Sequence, residues 1–348
     1  MVSSGHAANL MALGSSVQQT RRIQMIKSLR LENSGFCPCF DTIAFCDKSH
    51  LCPQACKLPR DILFVIMRFL LSITAFYFLS SIAVHAASIE GRVLKVLSDT
   101  RSLELELTQS SDAKLKVGST QIFRVGLGDL TIGYAGRKIK ANAAFYGKQW
   151  HLEQIFPTDG IGAKAARDVN HQLHQTTAAM SRRKYVKLGE YIPNFAMIDQ
   201  HGEFLQIRQL QGRPFMLNFI FTRCTVPSMC PASSTRMADM QDAAREAELK
   251  GLHFVSITFD PDFDSPGILN QYADGYGMES ENFHLLTMSQ SVVDDLLRQF
   301  GILTMEEDGT INHTMATLLV DANGRVAYRK EGPTWSGKDF MEAATKLL

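Results

Sequence analysis

Near residue 157 the hydrophobic pattern of this chain changes its period, and no single fold accommodates both halves. Residues 88–156 alternate apolar and polar side chains in the runs SIEGRVLKVL, SLELELT, TQIFRV, RKIKANA and QWHLEQIF, separated by Gly, Ser and Asp turn signals. A period of two turns one face of each strand inward, so residues 88–156 predict a small all-β domain, an OB-like barrel. Residues 157–186, rich in Ala, Gln and His, predict a connecting helix. From Lys187 strands alternate with helices. PFMLNFIFT, HFVSITF and FHLLT read as buried strands, and the last two strands, MATLLVD and RVAYRKE, meet at an Asn323-Gly324 turn. Helices are expected from Pro231 to about Lys250 with Gly251 closing it, from Ser265-Pro266, over SVVDDLLRQF, and from about Ser336. The fold class that follows is α/β, a thioredoxin-like sandwich over residues 187–348 preceded by the barrel.

The stretch starting at Met67, MRFLLSITAFYFLSSIAVHA, has one positive residue, Arg68, an uncharged run from Phe69 to Val84, and a small-residue site at Val84-His85-Ala86. That is the pattern of a signal peptide, and over residues 67–87 it is also about long enough for a membrane anchor. The body is expected to be exported, periplasmic, and either to begin near Ala87 or to stay on the inner membrane. Residues 1–66 then read as an upstream extension ahead of the true start. Their five cysteines, Cys37, Cys39, Cys46, Cys52 and Cys56, lack the paired spacing of a zinc site.

Charge excludes one class of partner. Thirty-six basic residues face 35 acidic ones; residues 1–87 hold eight and four of them, which leaves 28 against 31 in the rest. A mildly acidic body without an aromatic stacking ladder carries no nucleic-acid footprint. Gly126-Leu127-Gly128 lacks the third glycine of a dinucleotide fingerprint, and Asp260, Asp262 and Asp264 open like a calcium loop but meet Ser265 and Gln271 where glycine and glutamate are needed. These acids are read as a turn capping the next helix. His171 and His174 lie three apart on the connecting helix without an acidic or thiol neighbour in sequence, and are read as solvated or packed.

The chemistry concentrates in FTRCTVPSMCP, residues 221–231, where a buried strand ends and a helix begins. Functional groups of α/β proteins gather at that edge. Pro231 suits a first helical position, which makes Cys230 the expected N-cap and its sulfur the expected thiolate, favoured by the helix N-terminus. Cys224, six residues earlier and separated from the helix by Pro227, is expected on a loop. Met229 is a packing residue or a thioether donor, and Met237 and Met240 fall on the core face.

Here the chain resembles the SCO/SenC family of copper chaperones. The likeness covers residues 187–348: LGEYIPNFAMIDQHG, the Phe-Thr-x-Cys lead-in, the loop ending in Cys-Pro, VSITFDPDFDSP, and NHTMATLLVDANGRV. The family spaces its cysteines Cys-x3-Cys-Pro, and this chain has Cys-x5-Cys-Pro. The family's histidine eight residues before the hairpin aspartate falls on His313, counted from Asp321, and Asn312 stands where an acid is common. The resemblance implies one copper, Cu(I) or Cu(II), held by Cys224, Cys230 and His313. It further implies delivery to the cytochrome c oxidase subunit that carries the binuclear copper centre, and a separate thiol reductase keeping the cysteines reduced in an oxidising compartment.

Two soft sulfurs and an imidazole suit copper on their own chemistry, although zinc would accept them. The competing reading is a thiol-disulfide oxidoreductase acting through Cys224 and Cys230, the redox candidates if the protein is an enzyme. Against it stand the long spacing and Ala316, where such enzymes place a cis-proline. A one-cysteine peroxidase is a third reading that nothing else in the sequence requires, and His284 enters no triad-like spacing.

Overall fold

The computed structural model describes residues 86–348 except 182, 183, 250, 280, 308 and 309. The apolar run from Met67 and the five cysteines before it lie outside the described residues.

Strands β1 (Ala87–Leu97), β2 (Ser102–Ser110), β3 (Thr120–Arg124), β4 (Lys138–Tyr146) and β5 (Gln149–Pro157) close into a barrel of order β1-β2-β3-β5-β4. Neighbours are antiparallel except β3 and β5. The alternation predicted it: Ala87, Ile89, Gly91 and Val93 point inward, while Ser88, Arg92 and Leu94 face out. Leu103, Leu105, Phe123 and Ile155 join Val93 to fill the interior, as the narrow bore of a small barrel demands.

After the barrel come α1 (Ile161–Ala179), β6 (Ala196–Ile198), β7 (Phe204–Gln206), β8 (Phe215–Ile220), α2 (Cys230–Glu246), β9 (His253–Thr258), α3 (Pro266–Tyr276), β10 (Phe283–Leu286), α4 (Gln290–Phe300), β11 (Thr304–Glu307), β12 (Thr310–His313), β13 (Ala316–Val320), β14 (Val326–Glu331) and α5 (Gly337–Thr345). The main sheet has order β10-β9-β8-β13-β14, with β8 to β10 parallel and β13 reversed, which is the expected thioredoxin-like arrangement. All six side chains of β8 and of β9 are buried, as parallel strands covered on both faces require. Helix α2 packs against α3 and α5, and α4 packs against α1.

The connecting helix α1 is part of the α/β packing. Leu173 enters the core of the second half, and the Asn170 amide takes both backbone groups of Ala196, at 2.7 and 3.0 Å. His174 has the acidic partner that its sequence neighbourhood lacks, because packing of α1 on α4 brings Asp295 Oδ2 to 2.9 Å from its Nδ1. His171 instead meets the side chain of Gln175.

Helix α2 stops at Glu246, short of the expected Gly251. The chain turns left-handed at Glu248 (φ 54°), and the Leu249 N–H reaches the Ala244 carbonyl at 2.8 Å while its side chain packs on the core. That apolar contact fixes the exit before the glycine is reached. Elsewhere the signals hold: Ser265 precedes α3, Ser336 accepts the Asp339 N–H ahead of α5, and Asp321 Oδ1 takes the N–H groups of Asn323 and Arg325 at the last hairpin.

Between β3 and β4 the helical turn Leu127–Leu130 lies against the first turn of α3. Glycine is required at both sides of that contact, since a β-carbon on Gly128 would stand 1.9 Å from the Gly267 carbonyl oxygen. Asp129 is buried beside Gly267 and accepts from the Tyr134 hydroxyl at 3.4 Å; burial pushes its carboxyl up to about 7.

Candidate metal centre

Strand β8 delivers the chain to a loop, residues 221–229, that returns it into α2. Cys224 lies on this loop as expected, half-buried, with its Sγ 3.9 Å from the Val226 carbonyl. The Met229 N–H bonds the Val226 carbonyl at 3.0 Å, so a tight turn absorbs the extra residues between the cysteines. Cys230 is not the N-cap. Met229 holds that position and Cys230 is the first helical residue, with Pro231 behind it.

The consequence for the thiol runs against the sequence expectation. Cys230 is 0% exposed, and burial pushes its thiol far above the ordinary range; the Phe221 backbone hydrogen bond opposes this, and Cys224 and Asp264 raise it further. Desolvation thus outweighs the helix N-terminus. Both cysteines are free thiols.

His313 ends β12, and the β11–β12 hairpin carries it over the start of α2. Its Nε2 stands 3.8 Å from Cys230 Sγ. Its Nδ1 lies 3.1 Å from the Thr314 carbonyl, which can only accept, so the ring proton belongs on Nδ1 and the Nε2 lone pair faces the sulfur. Phe259 (centroids 4.4 Å apart) and Phe221 (5.9 Å, edge-on) clamp the ring, and burial lowers its basicity.

Sequence reasoning missed the support beneath this loop. Asp264 is fully buried and accepts from the Thr222 N–H at 3.1 Å and from the hydroxyls of Thr222 and Thr258; burial lifts its carboxyl to about 6 despite those bonds. Asp260 Oδ2 takes Arg223 Nε at 2.9 Å and Nη2 at 2.6 Å, and the same guanidinium covers the Phe263 ring. Asp260 and Asp264 therefore grip the residues leading into Cys224, in place of capping α3 with their carboxylates, while Asp262 is exposed. The usable signal was the pairing of Phe-Thr-x-Cys with Asp-Pro-x-x-Asp, two motifs that the fold brings together.

The structure thus joins Cys230 to His313 and brings Cys224 to the same loop. Among the described residues no three His, Cys, Asp or Glu side chains gather closely enough, as they stand, to hold a metal ion. Met237 and Met240 are buried in the core as expected, and Met229 is half-buried at the helix start. Every peptide bond among the described residues is trans.

Comparison with known proteins covers the same part of the chain. The SCO1/SenC family model matches residues 184–346. The SCO1 protein homolog of Bacillus subtilis is 29% identical over 136 residues, 38% of this chain and 69% of that protein. The SCO2-like protein of Rickettsia felis is 29% identical over 147 residues, 40% of this chain and 67% of its own length. A crystal structure of a SCO1/SenC family lipoprotein from Bacillus anthracis is 26% identical and covers 48% of this chain and 99% of that one, with a TM-score of 0.42. Over residues 184–346, the chain is similar to the SCO1/SenC family.

Proposed function

We propose that this protein takes up one copper ion as cargo through Cys224, Cys230 and His313 and delivers it for assembly of the binuclear copper centre of cytochrome c oxidase. The observation that carries this reading is the approach of a proton-free imidazole nitrogen to a reduced, buried sulfur. Metal bonds of about 2.3 Å to sulfur and about 2.0 Å to imidazole, meeting at a tetrahedral or trigonal angle, separate the two donors by about 3.5–3.7 Å. Cys230 and His313 are 3.8 Å apart and need little adjustment. Cys224 is the arriving ligand: its sulfur must leave the Val226 carbonyl, which the exposed residues 225–228 allow. Thiolates bind and thiols do not, so uptake releases protons and strengthens with pH.

In this reading residues 187–348 are the copper-binding part, residues 88–156 an OB-like accessory barrel that binds no nucleic acid, and residues 157–186 the connection. Residues 67–87 direct export, as a cleaved signal or as an anchor on the inner membrane, and a thiol reductase keeps the pair reduced. Disulfide exchange through Cys224 and Cys230 is the weaker use of this site, because the buried thiol is held protonated and only Cys224 is accessible.

Competition with a chromophoric Cu(I) chelator tests the proposal. One equivalent should be retained by the reduced protein and lost in Cys224→Ser and in Cys230→Ser. His313→Ala should weaken Cu(II) more than Cu(I), since imidazole suits the harder ion. Rapid reduction of a model protein disulfide with no copper retained would overturn it.

A further inference from the structure

A cavity of about 560 Å³ is walled by both halves of the molecule. The barrel supplies one wall from β4 and β5, and α1 with the β6–β7 hairpin supplies the next. The third wall consists of Pro261 and Asp262, which follow β9, and of Met288 and Ser289, which follow β10. Both turns leave the carboxyl ends of parallel strands, the edge of an α/β sheet at which ligands bind. The turn after β9 is also the one whose Asp260 and Asp264 hold the residues leading into Cys224.

These walls are fixed by the fold itself, as ligand cavities usually are. Arg137 of the barrel bonds the Gly202 carbonyl at 2.9 Å and Glu203 at 2.8 Å, and α1 lies so close to β7 that a β-carbon on Gly162 would collide with Phe204. On the barrel side β5 carries an extra residue opposite Ala141, since Lys140 pairs with Phe156 and Asn142 with Glu153. Gln154 takes the left-handed conformation there (φ 53°), which a residue other than glycine adopts only under constraint, and its amide oxygen accepts from the Asn142 side chain. The bulge turns Gln154 as well as Glu153 outward, between the inward Leu152 and Ile155, and so delivers Gln154 to the cavity wall.

The lining is apolar, with two cations and one acid. Ile198 and Pro261 are buried and Phe156, Phe204 and Met288 half-buried, so much of the wall is hydrocarbon and aromatic ring. Lys140 and Arg167 also line the cavity and are exposed, and among the described residues neither enters an ion pair. Asp262 is the one carboxylate in the lining. An apolar body covers such walls, and an anionic group on it gives the lysine and the arginine the charged partner that the protein withholds. We propose that this cavity binds an amphipathic organic anion, a molecule with an apolar body and a carboxylate or phosphate head. The site is separate from the copper ligands and does not depend on them.

The test titrates the metal-free full chain with anilinonaphthalene sulfonate and with phenylnaphthylamine, the same fluorophore without the sulfonate. The protein should take up one equivalent of the sulfonate about tenfold more tightly than the uncharged probe, the ratio that a charge-assisted hydrogen bond supplies. K140E together with R167E should erase that ratio by weakening the sulfonate alone. K114E together with K116E, the same change of charge on the exposed β2–β3 loop, should leave it intact. K140Q together with R167Q should show the same selective loss, and it decides the matter if charge reversal disturbs folding. Decanoate or decyl phosphate should displace the bound sulfonate, the stronger of the two naming the head group, and decanol should not. The proposal is overturned by the absence of saturable sulfonate binding, by binding that the cavity substitutions leave untouched, by equal losses in the two charge-reversed pairs, or by displacement with decanol as strong as with the anions.

Discussion

The substitution Asp264→Asn tests whether the cysteine loop is held by a carboxyl group that the fold keeps partly protonated. The Asp264 carboxyl rises from 3.8 to about 6, chiefly through burial. A carboxyl whose folded value is raised binds more protons in the folded than in the unfolded state, so its contribution to stability grows as pH falls through 6 and is complete below 3.8. The rise of about 2.2 pH units corresponds to about 3 kcal/mol in the limit, of which about 2 kcal/mol is reached by pH 4.5. An asparagine in this place cannot titrate, yet its amide can keep one acceptor oxygen for the Thr222 N–H and the Thr258 hydroxyl and can donate to the Thr222 hydroxyl. The variant, neutral like the protonated carboxyl, should therefore stand close to the native protein at about pH 4.5 and exceed it by about 2 kcal/mol at about pH 7.5. Urea unfolding of metal-free protein at the two pH values, followed by tryptophan emission, measures this difference and cancels the titration of all other groups. A difference that is flat with pH, or that favours the variant on acidification, would refute the reasoning.

Two further outcomes follow from burial. His284 on β10, stacked on His253, is pushed down to about 4 by burial, with His253 and His201 adding to the effect. A lowered histidine withdraws stability as pH falls from 6.5 toward 4, so urea titrations of His284→Gln should lack about 2–3 kcal/mol of that acid loss. Met237, fully buried on the core face of α2, should cost about 2–5 kcal/mol as Met237→Ala, read as a lowered urea midpoint with unchanged slope.

What the sequence disclosed follows from the range of each signal. The barrel strands were legible because inward and outward positions alternate within one strand, as in β1, and β8 and β9 because all their residues are apolar or internally bonded. The three-residue strands β6 and β7 are too short to show a period. At the candidate centre, the loop position of Cys224 could be read from Pro227 and the spacing. The burial of Cys230 could not, since it depends on Phe221, Phe259 and the β11–β12 hairpin folding over the start of α2. Asp264 and Thr222 are 42 residues apart, and an acid in a turn reads locally as a cap whatever it meets in space. The same limit hid Asp295 from His174, 121 residues away.

The docking of α1 decides where the family domain can be cut. The family likeness starts at residue 184, but Leu173 and Asn170 precede it and are spent inside the second half. A fragment beginning at 184 would carry a cavity where Leu173 stood, leave the peptide groups of Ala196 without partners, and open the buried face of Gln299, which bonds the Thr177 hydroxyl. Such a piece loses a leucine-sized filling worth about 2–5 kcal/mol before its metal chemistry is ever assayed. The smallest faithful fragment for copper measurements therefore starts ahead of Ile161, and a poor result from a shorter one reports on the missing helix.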